Sequence, residues 1–372
     1  MSEPEKKLFK DWFDASAARQ LGEQVRGVYP AFDFPGFVRR ACKDLESLEM
    51  GGRVAQFSDS LAEFLPADKE EAIQILARSL PEALPSAEQI TAGWLQWPLG
   101  KFIADHGLDC FECSMSAMIE LTQRFSSEFA VRPFLEQRPQ ETLQRLTALT
   151  SHPSVHVRRW CSEGTRPLLP WGKKLVQLQQ DPSPVWPILE ALKDDPERYV
   201  QKSVANHLND IAKTHPDLVL ARCRKWMPGA GPGRQWVIRH ALRTLIKNGN
   251  PSALELLGFP PVPVLPVQIR LKPAKICVGE SLQILFRISN PYPEPQRLLI
   301  DYAVHFVRQK GKTGRKVFKW TTLELSPGES VELSRRHPIR ITSVRALYPG
   351  RHRVELLLNG KNVAEKSFQL EL

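Results

Sequence analysis

"GFPPVPVLPVQIRLKP", residues 258–273, holds five prolines in sixteen residues. Proline lacks a backbone donor and clashes with the preceding turn, so no helix continues through this stretch and an extended linker is expected. The spacing of apolar residues changes across it. Upstream, "EEAIQILARSLPEAL" (70–84), "SMSAMIELTQRFSSEFAVRPFL" (114–135), "PVWPILEALKDDP" (184–196) and "YVQKSVANHLNDIAKTHPDLVLARC" (199–223) repeat at three and four residues, the period of amphipathic helices. Downstream come short alternating runs: "SLQILFRISN", "LLIDYAVHFVRQ", "VFKWTTLEL", "ESVELSRRHPI", "GRHRVELLLNG" and "VAEKSFQLEL". Turn signals such as "NPYPEP", "GKTG", "SPGES" and "NGKN" separate them, as in an antiparallel β-sandwich. The expected organisation is a helical domain over 1–258, a proline-rich linker over 259–267, and an immunoglobulin-like sandwich over 268–372.

Hydrophobic residues make up 42% of the chain and charged residues 25%, the balance of a water-soluble globular protein. The first 21 residues contain no apolar core of a secretory signal, and no apolar run approaches the ~18 residues of a membrane span. A cytoplasmic protein with no membrane partner is expected. Six cysteines are scattered, and only Cys110 and Cys113 in "CFEC" are close. A structural zinc site needs a second ligand pair, so no metal is expected, and nothing calls for a cofactor. The sandwich has Cys277 alone, so it lacks the inter-sheet disulfide of antibody domains. No obligate protein partner is evident, and a monomer is expected.

The net charge of +10 is unevenly placed. Residues 261–372 hold 19 Lys and Arg against 9 Asp and Glu, and residues 1–260 hold 32 against 32. Within the helical part, residues 1–121 are acidic (12 bases, 20 acids) and 122–174 are basic (9 bases, 4 acids). A basic middle followed by a basic β-domain suits a polyanion; charge placed only for solubility is the competing explanation.

The helical part repeats itself. Pro153 precedes Val157 by four in "HPSVHVRRWCSEG", and Pro196 precedes Val200 by four in "DPERYVQKSVANHL". The two units are 43 residues apart, and "RQWVIRHAL" from Arg234 resembles a third. That period fits HEAT-like helix pairs stacked into a solenoid, whose second helices line a concave face. Arg158, Arg159, Trp160 and Glu163 would face it from one unit, and Lys202, Asn206, His207 and Asp210 from the next. Bases along one curved face would bind duplex DNA with strong salt dependence. Arg166, Lys173 and Arg234 are further candidate phosphate contacts. In the β-domain, "RQKGKTGRKVFK" supplies Lys310, Lys312, Arg315 and Lys316 on a glycine-bearing hairpin, expected to close the other side of the DNA.

Three acids stand in basic surroundings: Glu128 in "TQRFSSEFAVRPFL", Glu163 in "RRWCSEGTRP" and Asp210 in "NHLNDIAKTHP". By spacing alone they pair on helix surfaces. Arg124, Glu128 and Arg132 lie four residues apart, as do Arg159 and Glu163; His207, Asp210 and Lys213 lie three apart. Such pairs contribute ~0.3–0.5 kcal/mol each.

"TQRFSSEFAVRPFL", "HPSVHVRRWCSEGTRPLLPWG" and "YVQKSVANHLNDIAKTHPDLV" resemble the AlkC type of bacterial DNA alkylation-repair glycosylases, within the HEAT-like superfamily that also holds the AlkD type. One AlkC branch carries an immunoglobulin-like C-terminal domain. The resemblance implies excision of cationic N3-methylated bases, chiefly 3-methyladenine and also 3-methylcytosine, from alkylated duplex DNA without base flipping. It also implies that Glu128, Glu163 and Asp210 are the catalytic acids. Trp160 and Trp171 are candidates to pack against sugar or lesion. Asn206 stands where the AlkD type has an aromatic wall, which shifts recognition onto the acids. The rival reading is a non-catalytic HEAT-like DNA-binding scaffold.

Overall fold

The structure, a computed structural model, describes residues 8–341 and 346–371. It forms two compact units. One comprises the chain up to His215 with Trp226–Ala241, and the other Pro216–Lys225 with everything from Leu242 onward.

The first unit is helical. It contains α1 (Ala15–Val28), α2 (Phe34–Ala41), α3 (Met50–Phe64), α4 (Lys69–Arg78), α5 (Trp97–His106), α6 (Phe111–Thr122), α7 (Arg132–Gln137) and α8 (Pro139–Ala148). These are followed by α9 (Val155–Gly164), α10 (Val176–Gln180), α11 (Trp186–Leu192), α12 (Arg198–Ile211) and α14 (Pro232–Ala241). Side-chain caps fix several starts: Asp14 accepts from the Ser16 and Ala17 amides, and Asp68 from those of Glu70 and Glu71. The repeat is visible in the packing. α12 lies between α9 and α14, and Val157, Val200 and Val237 are fully buried.

Two helical expectations need correction. The stretch 114–135 is not one helix: α6 ends at Thr122 and α7 starts at Arg132. The Ser127 hydroxyl donates to the Met118 carbonyl at the end of α6, and Pro133 sits in the first turn of α7, where its missing N–H leaves nothing unpaired. Arg124, Glu128 and Arg132 therefore share no helix face. The stretch 199–223 also divides, because Pro216 starts α13 (Pro216–Trp226) in the second unit.

The second unit holds α13, α15 (Arg243–Lys247), α16 (Pro251–Leu256) and eight strands: β1 (Val267–Lys272), β2 (Lys275–Cys277), β3 (Ser281–Ser289), β4 (Gln296–Val307), β5 (Thr313–Leu325), β6 (Ser330–Pro338), β7 (Gly350–Leu358) and β8 (Lys361–Glu371). A three-stranded sheet, β1-β3-β6, faces a five-stranded sheet, β2-β8-β7-β4-β5. The six alternating runs are β3 to β8. β1 lies within the proline-rich stretch, and β2 is only three residues long. β2 pairs parallel to β8, so the sandwich is not wholly antiparallel. Phe286, Ile288, Leu298, Ile300 and Leu356 form one part of the core, with Tyr302, Val304, Val354 and Phe368 in the other. Leu254 of α16 and Phe259 pack on Leu299 of β4, so by packing the last short helices belong with the sheets.

Candidate active site

Three segments meet at the acids. Glu128 sits in the turn before α7, Glu163 in the last turn of α9 and Asp210 near the end of α12. Arginines interleave them. Arg159 pairs with Glu128 and also reaches Oε1 of Glu163 at 3.4 Å. Arg166 donates to that same Oε1 at 2.6 Å and to Oδ2 of Asp210 at 2.8 Å. Lys213 closes the row on Oδ1 of Asp210 at 2.9 Å. The order is thus acid, base, acid, base, acid, base, running from α7's approach across α9 to the end of α12. Two hydroxyls fix carboxylate orientation. Ser203 of α12 donates to Oε2 of Glu163 at 2.6 Å, and Ser126 donates to Glu128 at 2.8 Å.

Arg132 supports this row from below. Only 2% exposed, it donates to the carbonyls of Gly164 and Arg166 at 3.1 and 3.0 Å, satisfying acceptors that the end of α9 leaves open. Gly164 lets that end come close, since a Cβ there would lie 2.8 Å from Val131. Trp97 stacks on Phe129 with centroids 5.4 Å apart, which steadies the turn carrying Glu128.

The electrostatics keep Glu163 ionised. Burial pushes its carboxyl up, but Arg159, Arg166 and the Ser203 hydrogen bond outweigh burial and hold it below the usual range. The two arginines gain from the same pairing. Burial alone would lower both, and their acids hold Arg159 and Arg166 above the ordinary guanidinium value. Beneath them the fully buried His207 is pushed down to about 3 by burial, with Arg166 acting in the same direction. Both Glu163 and His207 bind protons more weakly in the folded state than in the unfolded chain. Their contributions to stability are therefore present above the unfolded values and lost as pH falls, from about 6.5 for His207 and about 4.5 for Glu163. Thermal melts should show Tm declining from pH 7 to pH 4, with a shallower decline in His207→Leu; equal declines would contradict this account.

The structure redistributes the other expected contacts. Trp160 is 0% exposed in the helical core and cannot face DNA. Arg158 is held by Asp195 at 2.6 and 3.3 Å and by the His152 and Pro153 carbonyls, tying α9 to the turn before α12. Arg159 and Arg166 bind the acids. Arg234 is paired with Asp194 at 2.5 Å. Lys173 is exposed with one partner, Glu136, at 2.7 Å, and Lys202 is exposed on α12. In the β unit Lys312 is exposed, Arg315 pairs with Glu355 at 3.1 Å, and Lys316 lies over the Phe318 ring. The Lys310 side chain lies outside the described residues. Trp171 is 83% exposed, with φ at +63°, a backbone region bulky residues rarely adopt. Sequence spacing missed the roles of Ser203 and Arg132, whose partners lie 40 and 32 positions away, and it missed Ser126, only two positions from Glu128, because charge spacing does not register a hydroxyl. Among the described residues no group of three or more His, Cys, Asp and Glu could hold a metal, and no helix is long and apolar enough to cross a membrane.

Comparison with known proteins gives this arrangement a setting. Residues 122–245, which contain the whole charge row, match a family described as DNA alkylation repair enzyme. Residues 266–372 match the YhaZ C-terminal Ig-like domain family. The YhaZ protein of Bacillus subtilis (strain 168) is 36% identical over 363 residues, covering 97% of this chain and 99% of YhaZ. Pseudomonas fluorescens alkylpurine DNA glycosylase AlkC, solved bound to DNA containing an abasic site analog, superposes with a TM-score of 0.89 at 36% identity, over 98% of this chain and 100% of AlkC. With both relatives 36% identical over nearly the whole chain, the chain belongs to the AlkC-type branch of the DNA alkylation repair enzymes.

Proposed function

We propose that the chain is a monofunctional DNA glycosylase of base excision repair, hydrolysing the N-glycosidic bond of cationic N3-alkylated bases, 3-methyladenine and 3-methylcytosine, in duplex DNA. The observation that carries this reading is the row of carboxylates with Glu163 buried and held ionised. A cationic base departs as a neutral molecule and needs no general acid. The remaining demand is to stabilise oxocarbenium-like charge on the sugar and to orient a water, and fixed carboxylates answer both. No lysine nucleophile is required, so base release without strand cleavage is expected. The reading leaves the lesion in the duplex: Trp160 is inside the core and cannot stack on an extruded base, and Trp171, 83% exposed, is a candidate to meet DNA from outside. The test is release of free methylated base from duplexes carrying a single 3-methyladenine or 7-methylguanine, by wild type and Glu163→Gln. Affinity for DNA with no release by wild type would favour the scaffold reading.

Charge in the β unit supports a DNA-contacting role with a shifted emphasis. On the outer face of the five-stranded sheet, Arg315 and Arg353 are paired with Glu355, and Arg353 also with Glu365. On the outer face of the three-stranded sheet, β1 presents Arg270 and Lys272, and β3 presents Arg287. These three form no ion pair among the described residues. Each phosphate contact contributes about 0.9 to the slope of log affinity against log salt. Arg270→Gln/Lys272→Gln/Arg287→Gln should flatten that slope by about 2.7 if all three meet phosphates, and Lys312→Gln/Arg315→Gln/Lys316→Gln should flatten it less. Unaltered slopes in both variants would remove the β unit from the DNA interface.

A further inference from the structure

The six charged groups of the row are not equally held. Arg159 and Arg166 are each clasped between two acids, with side-chain exposures of 15% and 8%. Neither can leave without stranding a buried carboxylate. Lys213 is different. It lies just past the end of α12, its side chain is 45% exposed, and it touches one acid at one oxygen. That oxygen, Oδ1 of Asp210, belongs to a side chain only 3% exposed, and its fellow Oδ2 is already taken by Arg166. Lys213 is therefore the one cation of the row that is both mobile in principle and placed on the solvent side of an acid. With three carboxylates and three cations, the row is neutral while Lys213 stays.

We propose that Lys213 is an exchangeable counterion that selects for cationic lesions. In the free protein it neutralises Asp210. On DNA binding its ammonium moves to a backbone phosphate, and the positively charged nucleotide takes its place at Oδ1. One cation replaces another, so the row stays neutral. An undamaged nucleotide brings no positive charge, and the same displacement would leave the buried row with three carboxylates against two cations, which is unfavourable. Lysine suits this role because its ammonium is a strongly hydrated point charge on a flexible stem, whereas the forked guanidinium of Arg166 fits a fixed bridge. Lys213 is a positioning and specificity residue here, not a catalytic one.

This inference rests on the glycosylase reading, and its test separates the two. Full-length Lys213→Met would be compared with wild type and Lys213→Arg. Affinity for duplex bearing a non-hydrolysable analogue of a cationic lesion, measured against salt, should have a slope shallower by about 0.9 in Lys213→Met and unchanged in Lys213→Arg, while the slope on undamaged duplex should be the same in all three. Removing the competing cation should also raise the preference for duplex bearing a cationic lesion over undamaged duplex, by about fivefold. An unchanged slope in Lys213→Met would overturn the exchange, leaving Lys213 as a helix-end pair. A collapse in single-turnover rate with affinity intact would overturn it too, since Lys213 would then act on the reacting atoms. If wild type releases no base, the glycosylase reading fails, while the slope on the lesion-analogue duplex still reports whether Lys213 meets a phosphate.

Discussion

Glu163→Gln is expected to lower single-turnover release of 3-methyladenine by about 10²–10³-fold while leaving DNA affinity nearly unchanged, the scale of removing one preorganised group that meets developing charge. The substitution keeps the shape of the side chain and an oxygen for Arg166 to donate to. It removes the negative charge that Arg159 and Arg166 share and that Ser203 orients. The row then has two acids against three cations, and a site meant to receive positive charge becomes positive itself. Ground-state binding depends mostly on phosphate contacts elsewhere, so the loss should appear in rate rather than affinity. Asp210→Asn should behave in the same way. Release by both variants within about threefold of wild type would remove these acids from the reaction, since a threefold change is well under 1 kcal/mol.

Arg166→Met is expected to destabilise the fold by about 3–5 kcal/mol at pH 7, the range for removing one partner of a buried charge set. Arg166 bridges Glu163 and Asp210 with a side chain 8% exposed, so its loss weakens the hold on two buried carboxylates at once, leaving Glu163 with the longer Arg159 contact and Asp210 with Lys213. The pH dependence gives a second check. Without Arg166 the Glu163 carboxyl rises, and a raised carboxyl contributes stability at low pH that is lost as pH rises. The deficit against wild type should therefore shrink as pH falls toward 4.5. Arg166→Lys should fall between, because an ammonium cannot fork to both acids. Denaturant unfolding at pH 7 and pH 5 measures all three, and a loss under about 1 kcal/mol in Arg166→Met would show that the bridge is solvated rather than buried.

Much of the architecture was legible in the chain. The prolines of 258–273 mark where the apolar period changes from helical to alternating, and six of eight strands follow from that alternation. β1 and β2 were hidden because one begins among prolines and the other is too short to alternate. The repeat was legible from Pro153 and Pro196. Trp160 could have been placed correctly from spacing: Val157, Trp160, Cys161 and Gly164 fall on one helical stripe, the pattern of a buried face. The candidate acids were visible as residues, and so were their near partners, Arg159 for Glu163 and Lys213 for Asp210, but the partners that cross from one segment to another were not. Spacing finds the Arg159–Glu163 contact, which exists at 3.4 Å, yet Arg159 also pairs with Glu128, 31 positions away. Arg166 reaches Asp210 across 44 positions. Local periodicity carries no information about such distances; only the stacking of one repeat on the next creates them.

The row of charges ties the turn before α7, the end of α9 and the end of α12, which belong to successive repeats. Stacked-repeat proteins ordinarily gain stability as a sum of nearest-neighbour terms, and their repeats tolerate insertion, loss and separate fraying. Here Arg159 and Arg166 each anchor acids from two different segments, so opening one segment exposes unpaired charge in the next. This stretch of the array gives up modularity: it is constrained to open as one cooperative block, and a repeat cannot be added or removed within it without dismantling the site.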